Sequence, residues 1–346
     1  VIKRSELLGQ ITKNKKLIGV SGTHGKTTVS AMAGLLLIKA EMDPTVLIGE
    51  RVIEFDNEVL RVGKSEWFVA EVCEYDRSFL DIYPKIVILT NIEEEHLDSF
   101  PSGINEIKEA FIEYLNHVPD DGIIIACSDN KNVMDAIDKI KTKAKIIYYG
   151  FTSEKYNKLP FKLNIPGKHN VVNALSILAL SDLLGIQNNI FKKTLLGFKG
   201  AKRRFEKKGQ FNGADLIDDY GHHPTEISAT LSALKEKYPK KERIVIFWPH
   251  QYKRIKSLLK EFSKAFRDAD LVIIKPIFFV PGRDEKLDIS SSDLVGLLKK
   301  KGKNALYLEN DNQIIEYLLK KLTNQSVLLT IGIPPVYKII DKLLEK

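Results

Sequence analysis

Leu17-Ile-Gly-Val20, then Ser21, then Gly22-Thr-His-Gly25-Lys26-Thr27-Thr28, then Val29-Ser-Ala-Met-Ala-Gly-Leu-Leu-Leu-Ile38 is the stretch that decides the fold. A short apolar run enters a glycine-containing turn, and the turn opens onto a long apolar run of helical length. That context is what a phosphate loop requires. Glycines let the backbone approach phosphate, and N–H groups at a helix start point at the anion along the helix dipole. In such a loop Lys26 neutralises the β/γ oxygens and the Thr27 hydroxyl binds Mg²⁺. The pattern is the short G-x-x-G-K-T-T form, because Val20 rather than glycine stands five positions before Gly25. Taken alone, an incidental turn before a helix remains the alternative.

Outward from this loop, β-branched runs alternate with amphipathic segments, the pattern of an α/β protein with a mainly parallel sheet. The spacing predicts strands at Leu17–Val20, Trp67–Glu71, Ile86–Asn91, Gly122–Ala126 and Lys145–Tyr149. It predicts helices at Lys26–Ala40, Gly103–Leu115 and Asn170–Leu184. A second alternation follows Phe198, with strands at Asp215–Asp219, Arg243–Trp248, Leu271–Pro276, Ala305–Leu308 and Val327–Ile331. Its helices fall at Thr225–Lys237, Ile255–Ala269, Ser291–Lys300 and Asn312–Lys321. The Gly- and Lys-rich stretch Gly197-Phe-Lys-Gly-Ala-Lys202 divides a first domain, 1–199, from a Rossmann-like second domain, 200–346. Ligands of such units bind at the carboxyl ends of the strands.

Composition bounds the function classes. The 346 residues carry 53 Lys and Arg against 45 Asp and Glu, a net charge of +8, with 44% hydrophobic and 28% charged residues. This excludes intrinsic disorder and matches two domains at roughly 100–200 residues each. No apolar run reaches the ~18 residues that span a bilayer, so no membrane partner is expected. No RNA-recognition signature and no basic stripe interleaved with aromatics occurs, so no nucleic-acid partner is expected either. Lys-rich stretches such as Lys299-Lys-Lys-Gly-Lys303 read as solvated helix faces. Two cysteines, Cys73 and Cys127, exclude a disulfide scaffold and a cysteine-based zinc cluster. Both read as buried thiols in a reducing, cytoplasmic compartment. The first residues, Val1-Ile-Lys-Arg-Ser-Glu6, read as a processed or trimmed end.

Six of the seven histidines (His24, His96, His169, His222, His223 and His250) fall near strand ends or helix starts, and only His117 looks incidental. Glu71 ends a strand, with Glu74 and Asp76 following. Asn91 ends another, ahead of Glu93-Glu-Glu-His96. Carboxylates and an imidazole on the same sheet edge as the loop suggest Mg²⁺ ligation. Glu93 and Glu94 read as a solvated acidic turn. Asn170 and Asn173, three apart, share a helix face and can present donor and acceptor to an adenine edge, with N-capping by Asn170 as the alternative. Tyr220-Gly-His222-His223-Pro224 turns from strand to helix and can hold a general base and a substrate ligand. Arg203-Arg204 at the domain boundary and Trp248-Pro-His250-Gln-Tyr252-Lys-Arg254 add anion-binding capacity.

Seven stretches in this order resemble the Mur ligases: GVSGTHGKTTVSAM, AEVCEYDRSFL, ILTNIEEEHLDSF, IPGKHNVVNAL, KRRFE, LIDDYGHHPTEI and FWPHQYKR. Within the family the resemblance points to members that add L-alanine to UDP-N-acetylmuramate in peptidoglycan synthesis. The rivals are a muramyl-peptide recycling ligase and an ATP-binding fragment without full ligase activity; a P-loop motor or GTPase is disfavoured by the His/Asn motifs and the second unit. The family activates a carboxylate with ATP as an acyl phosphate, which an amine then attacks.

The resemblance implies ATP and Mg²⁺ as cofactors, a central P-loop ATPase domain, and a monomer or weak homodimer. By the same resemblance Gly22, Thr23, His24, Gly25, Lys26, Thr27 and Thr28 cradle the phosphates. Thr27 and Glu71 hold the first Mg²⁺ and His96 the second. His169, Asn170 and Asn173 take adenine, Asp219 the ribose, and Arg204 the ATP phosphates. Tyr220, His222, His223, His250, Tyr252 and Arg254 surround the substrates, with His222 assisting amine deprotonation. Lys26, His96, His222 and Arg204 form the catalytic set. Gln251 stands where the family usually has arginine, and Gly332-Ile-Pro-Pro335 departs from the family's late glycine loop. The family's uridine-binding N-terminal domain is not recognisable in these residues, which begin where the family's linker into the ATP-binding domain begins.

Overall fold

A computed structural model describes residues 1–282 and 284–346. Two compact units emerge. The first is Val1–Ile165 with His169–Ala201, and the second is Pro166–Lys168 with Lys202–Lys346.

The first unit contains α1 (Arg4–Thr12), β1 (Lys16–Ser21), α2 (Lys26–Lys39), β2 (Thr45–Val52), β3 (Glu58–Arg61), β4 (Trp67–Glu71), β5 (Ile86–Leu89), α3 (Ile104–Leu115), β6 (Ile123–Cys127), α4 (Lys131–Ile137), β7 (Lys145–Tyr149), α5 (Lys168–Leu183) and α6 (Asn188–Gly197). Its seven strands run in the order β3-β2-β4-β1-β5-β6-β7. All pairs are parallel except the β2–β3 edge. Strands covered on both faces by helices need continuous apolar runs, and β5 is buried at all four residues. One face packs on α2, α5 and α6 through Val29, Leu36, Leu180 and Phe191. The other packs on α3 and α4 through Phe111, Leu115 and Val133. β1 lies between β4 and β5, with Val20 opposite Glu71 on one side and Ile88 on the other. The chain leaves β1 at a switch point, where a crevice forms beyond the strand ends.

The second unit contains β8 (Glu206–Phe211), β9 (Ala214–Asp219), α7 (Pro224–Lys237), β10 (Glu242–Phe247), α8 (Tyr252–Ser257), α9 (Leu259–Ala265), β11 (Leu271–Ile274), α10 (Ser291–Lys300), β12 (Asn304–Tyr307), α11 (Asp311–Lys321), β13 (Ser326–Ile331) and α12 (Lys338–Leu344). Its sheet runs β12-β11-β10-β13-β9-β8, parallel except for β8–β9. Helices α7 to α10 cover one face, and α11 and α12 the other.

Several expectations need correction. The helix expected over Ile255–Ala269 is two, α8 and α9, because Leu258 leaves helical geometry at φ −109°, ψ 22°. β5 stops at Leu89 and β11 at Ile274, two residues short in each case. Helix α5 starts at Lys168, so Asn170 lies inside its first turn and does not cap it. Cys127 is buried but Cys73 is only partly so, because it lies beyond the end of β4. Among the described residues, no helix is long and apolar enough to cross a membrane.

Candidate functional site: a phosphate loop and a histidine turn

The phosphate loop joins β1 to α2. Gly22 (φ 131°) and Gly25 (φ 84°) both take backbone conformations that favour glycine. Space demands glycine as well: a Cβ on Gly22 would stand 2.2 Å from Thr90 Oγ1, and one on Gly25 would stand 2.8 Å from Asn173 Oδ1. Asn173 is buried under the loop, one helix face with Asn170, which is also buried. Thr28 is buried in the first turn of α2.

The Lys26 ammonium folds back over the loop. It donates to the Gly22 and Thr23 carbonyls at 2.6 and 3.1 Å and to Glu74 Oε2 at 3.0 Å. Burial pushes this lysine's pKa down, but Glu74, with Cys73 and Glu71, raises it above the ordinary lysine value. Burial pushes the neighbouring Cys73 thiol up to about 11. Glu74 is 2% exposed, and its other oxygen lies 3.9 Å from His96 Nε2. His96 (φ 55°) also packs edge-on against Tyr75, ring centroids 5.1 Å apart. Glu71 Oε2 accepts the Thr27 hydroxyl at 2.9 Å and the Gly49 N–H at 2.9 Å. Thr27 and Glu71 are thus together, while the carboxylate joining Lys26 to His96 is Glu74. The sequence placed Glu74 just past the strand end, and only the turn after β4 brings it back.

The acidic turn is less solvated than its composition suggests. Glu94 is exposed, but Glu95 is buried. Glu93 Oε2 lies 3.5 Å from His24 Nε2, and its N–H donates to Thr23 Oγ1 at 2.8 Å. Asn91, passed over as a site residue, bonds to His24 through both ends of its amide.

In the second unit the turn after β9 gathers the expected side chains. Pro224 occupies the first turn of α7, where its missing N–H costs nothing. Glu226 closes a capping box. Its Oε2 accepts the N–H of His222 at 2.9 Å and of His223 at 3.2 Å, and lies 3.4 Å from His222 Nδ1. Its Oε1 lies 3.6 Å from Arg204. The Tyr220 ring stands under Arg204 and edge-on to His222, 5.2 and 5.7 Å away. Asp219 is buried, which raises its pKa against the pull of Arg204. Its oxygens accept the N–H groups of Phe205 and Gly221 at 2.8 and 2.7 Å.

Arg203 does a different job from Arg204. It bonds Asp218 at 3.0 Å and the carbonyls of Gly332 and Ile333 at 2.6 and 2.9 Å. Its guanidinium lies 5.0 Å from each of the Tyr220 and Tyr337 rings.

The segment after β10 is held by its own neighbours. His250 stacks on Phe278 at 5.8 Å, and its Nδ1 takes a bond from Arg254 at 3.1 Å. The Tyr252 N–H donates to Asp284 at 3.0 Å. Gln251, where the family pattern has arginine, is buried with φ 69°. Buried Lys275 lies 4.1 Å from the Trp248 ring centre and pairs with Asp311.

The profile of the Mur ligase middle domain matches residues 20–159, and that of the Mur ligase glutamate ligase domain matches residues 203–333. The UDP-N-acetylmuramate–L-alanine ligase of Caldanaerobacter subterraneus is 40% identical over 370 residues, covering 100% of this chain and 79% of that protein. The protein of the same name from Clostridium tetani is 38% identical over 369 residues, again covering 100% of this chain and 79% of the relative. Among solved structures, UDP-N-acetylmuramate–alanine ligase MurC from Thermotoga maritima shares the fold at TM-score 0.80 and 23% identity, over 98% of this chain and 77% of that one. With two family domains matched in order and these relatives aligned across the whole chain, the protein belongs to the Mur ligase family.

Proposed function

We propose that this Mur ligase adds L-alanine to UDP-N-acetylmuramate at the expense of ATP, in the cytoplasm, as a step of peptidoglycan synthesis. The observation that carries the reading is the convergence of Lys26, Thr27, Glu71, Glu74 and His96 on one loop at the switch point of the sheet. The naming of relatives 38–40% identical across the chain supports the choice of substrates.

The carboxylate oxygen of the acceptor takes the γ-phosphoryl group, releasing ADP. The alanine amine then attacks the carbonyl carbon, phosphate leaves, and the nitrogen gives up its protons. Lys26 and Arg204 neutralise phosphate charge during transfer, a reaction that depends chiefly on positioning and electrostatics. His169, Asn170 and Asn173 hold the adenine and Asp219 the ribose. Mg²⁺ fits the donor set, since the Thr27 hydroxyl and the Glu71 and Glu74 carboxylates are hard oxygens and His96 adds one nitrogen. When bound, the metal neutralises triphosphate charge. His222, oriented by Glu226, accepts a proton from the attacking amine, while Tyr220, His223, His250, Tyr252 and Arg254 line the substrates.

The test is ATP turnover with UDP-N-acetylmuramate plus L-alanine, compared with UDP-N-acetylmuramate plus L-Ala-γ-D-Glu-meso-diaminopimelate. The expected result is UDP-N-acetylmuramoyl-L-alanine and ADP from the first pair alone. Turnover only with the tripeptide would establish the recycling reaction instead. Full alanine-dependent turnover in His222→Ala would remove His222 from the proton transfer.

A further inference from the structure

The phosphate loop is clasped from one side by the residues that follow β5. The Thr90 N–H and hydroxyl donate to the Ser21 carbonyl at 3.0 and 3.2 Å, and the hydroxyl reaches the His24 carbonyl at 2.6 Å. The Asn91 carbonyl accepts the Thr23 N–H at 2.9 Å. The Asn91 side chain closes a two-point pair with the peptide groups of His24: Oδ1 accepts its N–H at 2.8 Å and Nδ2 donates to its carbonyl at 3.0 Å. Gly22 is what permits this approach, since any Cβ there would collide with Thr90.

We propose that Asn91 is a positioning residue that presets the phosphate loop before nucleotide arrives; this rests on the ATP reading above. Its bonds commit the N–H groups of Thr23 and His24 to the protein. The anion is therefore taken by the N–H groups from Gly25 to Thr28, which open α2 and have no acceptor within the helix. A loop held in its binding geometry does not charge the ligand for ordering it. Removing the clasp is thus read in affinity, while chemistry on the bound nucleotide persists.

The experiment measures ATP binding in the presence of Mg²⁺, and steady-state kinetics, for the full chain and for Asn91→Ala and Asn91→Asp. The aspartate keeps the acceptor for the His24 N–H but places a second acceptor against the His24 carbonyl. Both variants are expected to raise the ATP Kd and KM by about 10-fold, with kcat within about 3-fold of wild type. Unchanged ATP affinity in either variant, beside a wild type that binds, overturns the proposal alone. A wild type that binds no ATP overturns the nucleotide reading and the proposal with it.

Amide exchange of the unmutated chain provides a second arm should the alanine variant fail to fold. The Thr23 and His24 amides are expected to be protected without nucleotide, and those of Gly25–Thr28 to gain protection only when ATP is added. Free exchange at Thr23 and His24 in the nucleotide-free protein would also overturn it.

Discussion

The Thr27 hydroxyl donates to Glu71 at 2.9 Å, joining the first turn of α2 to the end of β4. In β1–β4 register Glu71 stands opposite Val20, two residues before Gly22 begins the loop. The two side chains thus share one small volume. Glu71→Gln keeps an acceptor for Thr27 but discards the charge that a divalent cation needs. The expected outcome is a fall in Mg²⁺-dependent ligation on the order of 10²–10³-fold with Tm nearly unchanged. A magnesium titration of initial rates checks it, and wild-type rates at equal Mg²⁺ would refute the assignment of Glu71.

Lys26 and Glu74 form a buried pair, 11% and 2% exposed at their side chains. Removing one member leaves an uncompensated charge, a loss of about 3–5 kcal/mol for a buried pair. Lys26→Met is therefore expected to lower stability as well as ATP binding. Lys26→Met combined with Glu74→Gln should recover much of the stability and none of the activity. Denaturant melts of the two variants make the comparison.

His222 and Arg204 meet on Glu226. Glu226→Gln preserves an oxygen for the capping box but removes the charge that the Arg204 guanidinium and the His222 imidazole face. The expected effect is a 10–10²-fold loss of alanine-dependent ATP turnover, an order typical of a lost orienting partner, with little change in α7 stability. Circular dichroism and product formation measured on one preparation separate the two effects. Equal loss of helix content and activity would assign Glu226 a purely structural role.

Burial raises the Asp218 carboxyl from 3.8 to about 6, against the pull of Arg203 and Thr330. Between about pH 4 and 6 the folded chain therefore keeps a proton that the unfolded chain has released, so this group's contribution to stability falls as pH rises. Against Asp218→Asn, which does not titrate, the wild type should lose relative stability across that window and then level off. Paired thermal melts from pH 4 to 7 check the slope, and parallel curves would refute it.

Much of the fold was legible because interior parallel strands must be apolar throughout. The interior strand Trp67–Glu71 falls where its pattern places it, as do the edge strand Lys145–Tyr149 and the amphipathic helix Ser291–Lys300. The two antiparallel edge strands were not legible for the converse reason: β3 is exposed along most of its length, and β8 reads Glu-Lys-Lys-Gly-Gln-Phe. α1 buries only Thr12 and offers no apolar stripe. β2 opens with the short apolar run Val46-Leu-Ile48 and continues into Gly-Glu-Arg, which breaks the strand pattern. At the candidate site, strand ends and glycine turns announced Glu71 and the loop. Glu74, Asn91 and Glu226 act from turns and a helix cap, which no periodicity encodes.

The grip of Arg203 on the chain beyond β13 has a consequence for how this protein can vary. The guanidinium reads carbonyl oxygens, a group that every amino acid carries. The path of residues 332–335 therefore depends on position 203, more than a hundred residues earlier, as well as on Gly332, whose φ of 140° and closeness to the Trp248 carbonyl leave no room for a Cβ. Lysine at 203 would lose the fork that spans adjacent carbonyls. A change at one arginine is thus felt in a loop that it never neighbours in the sequence.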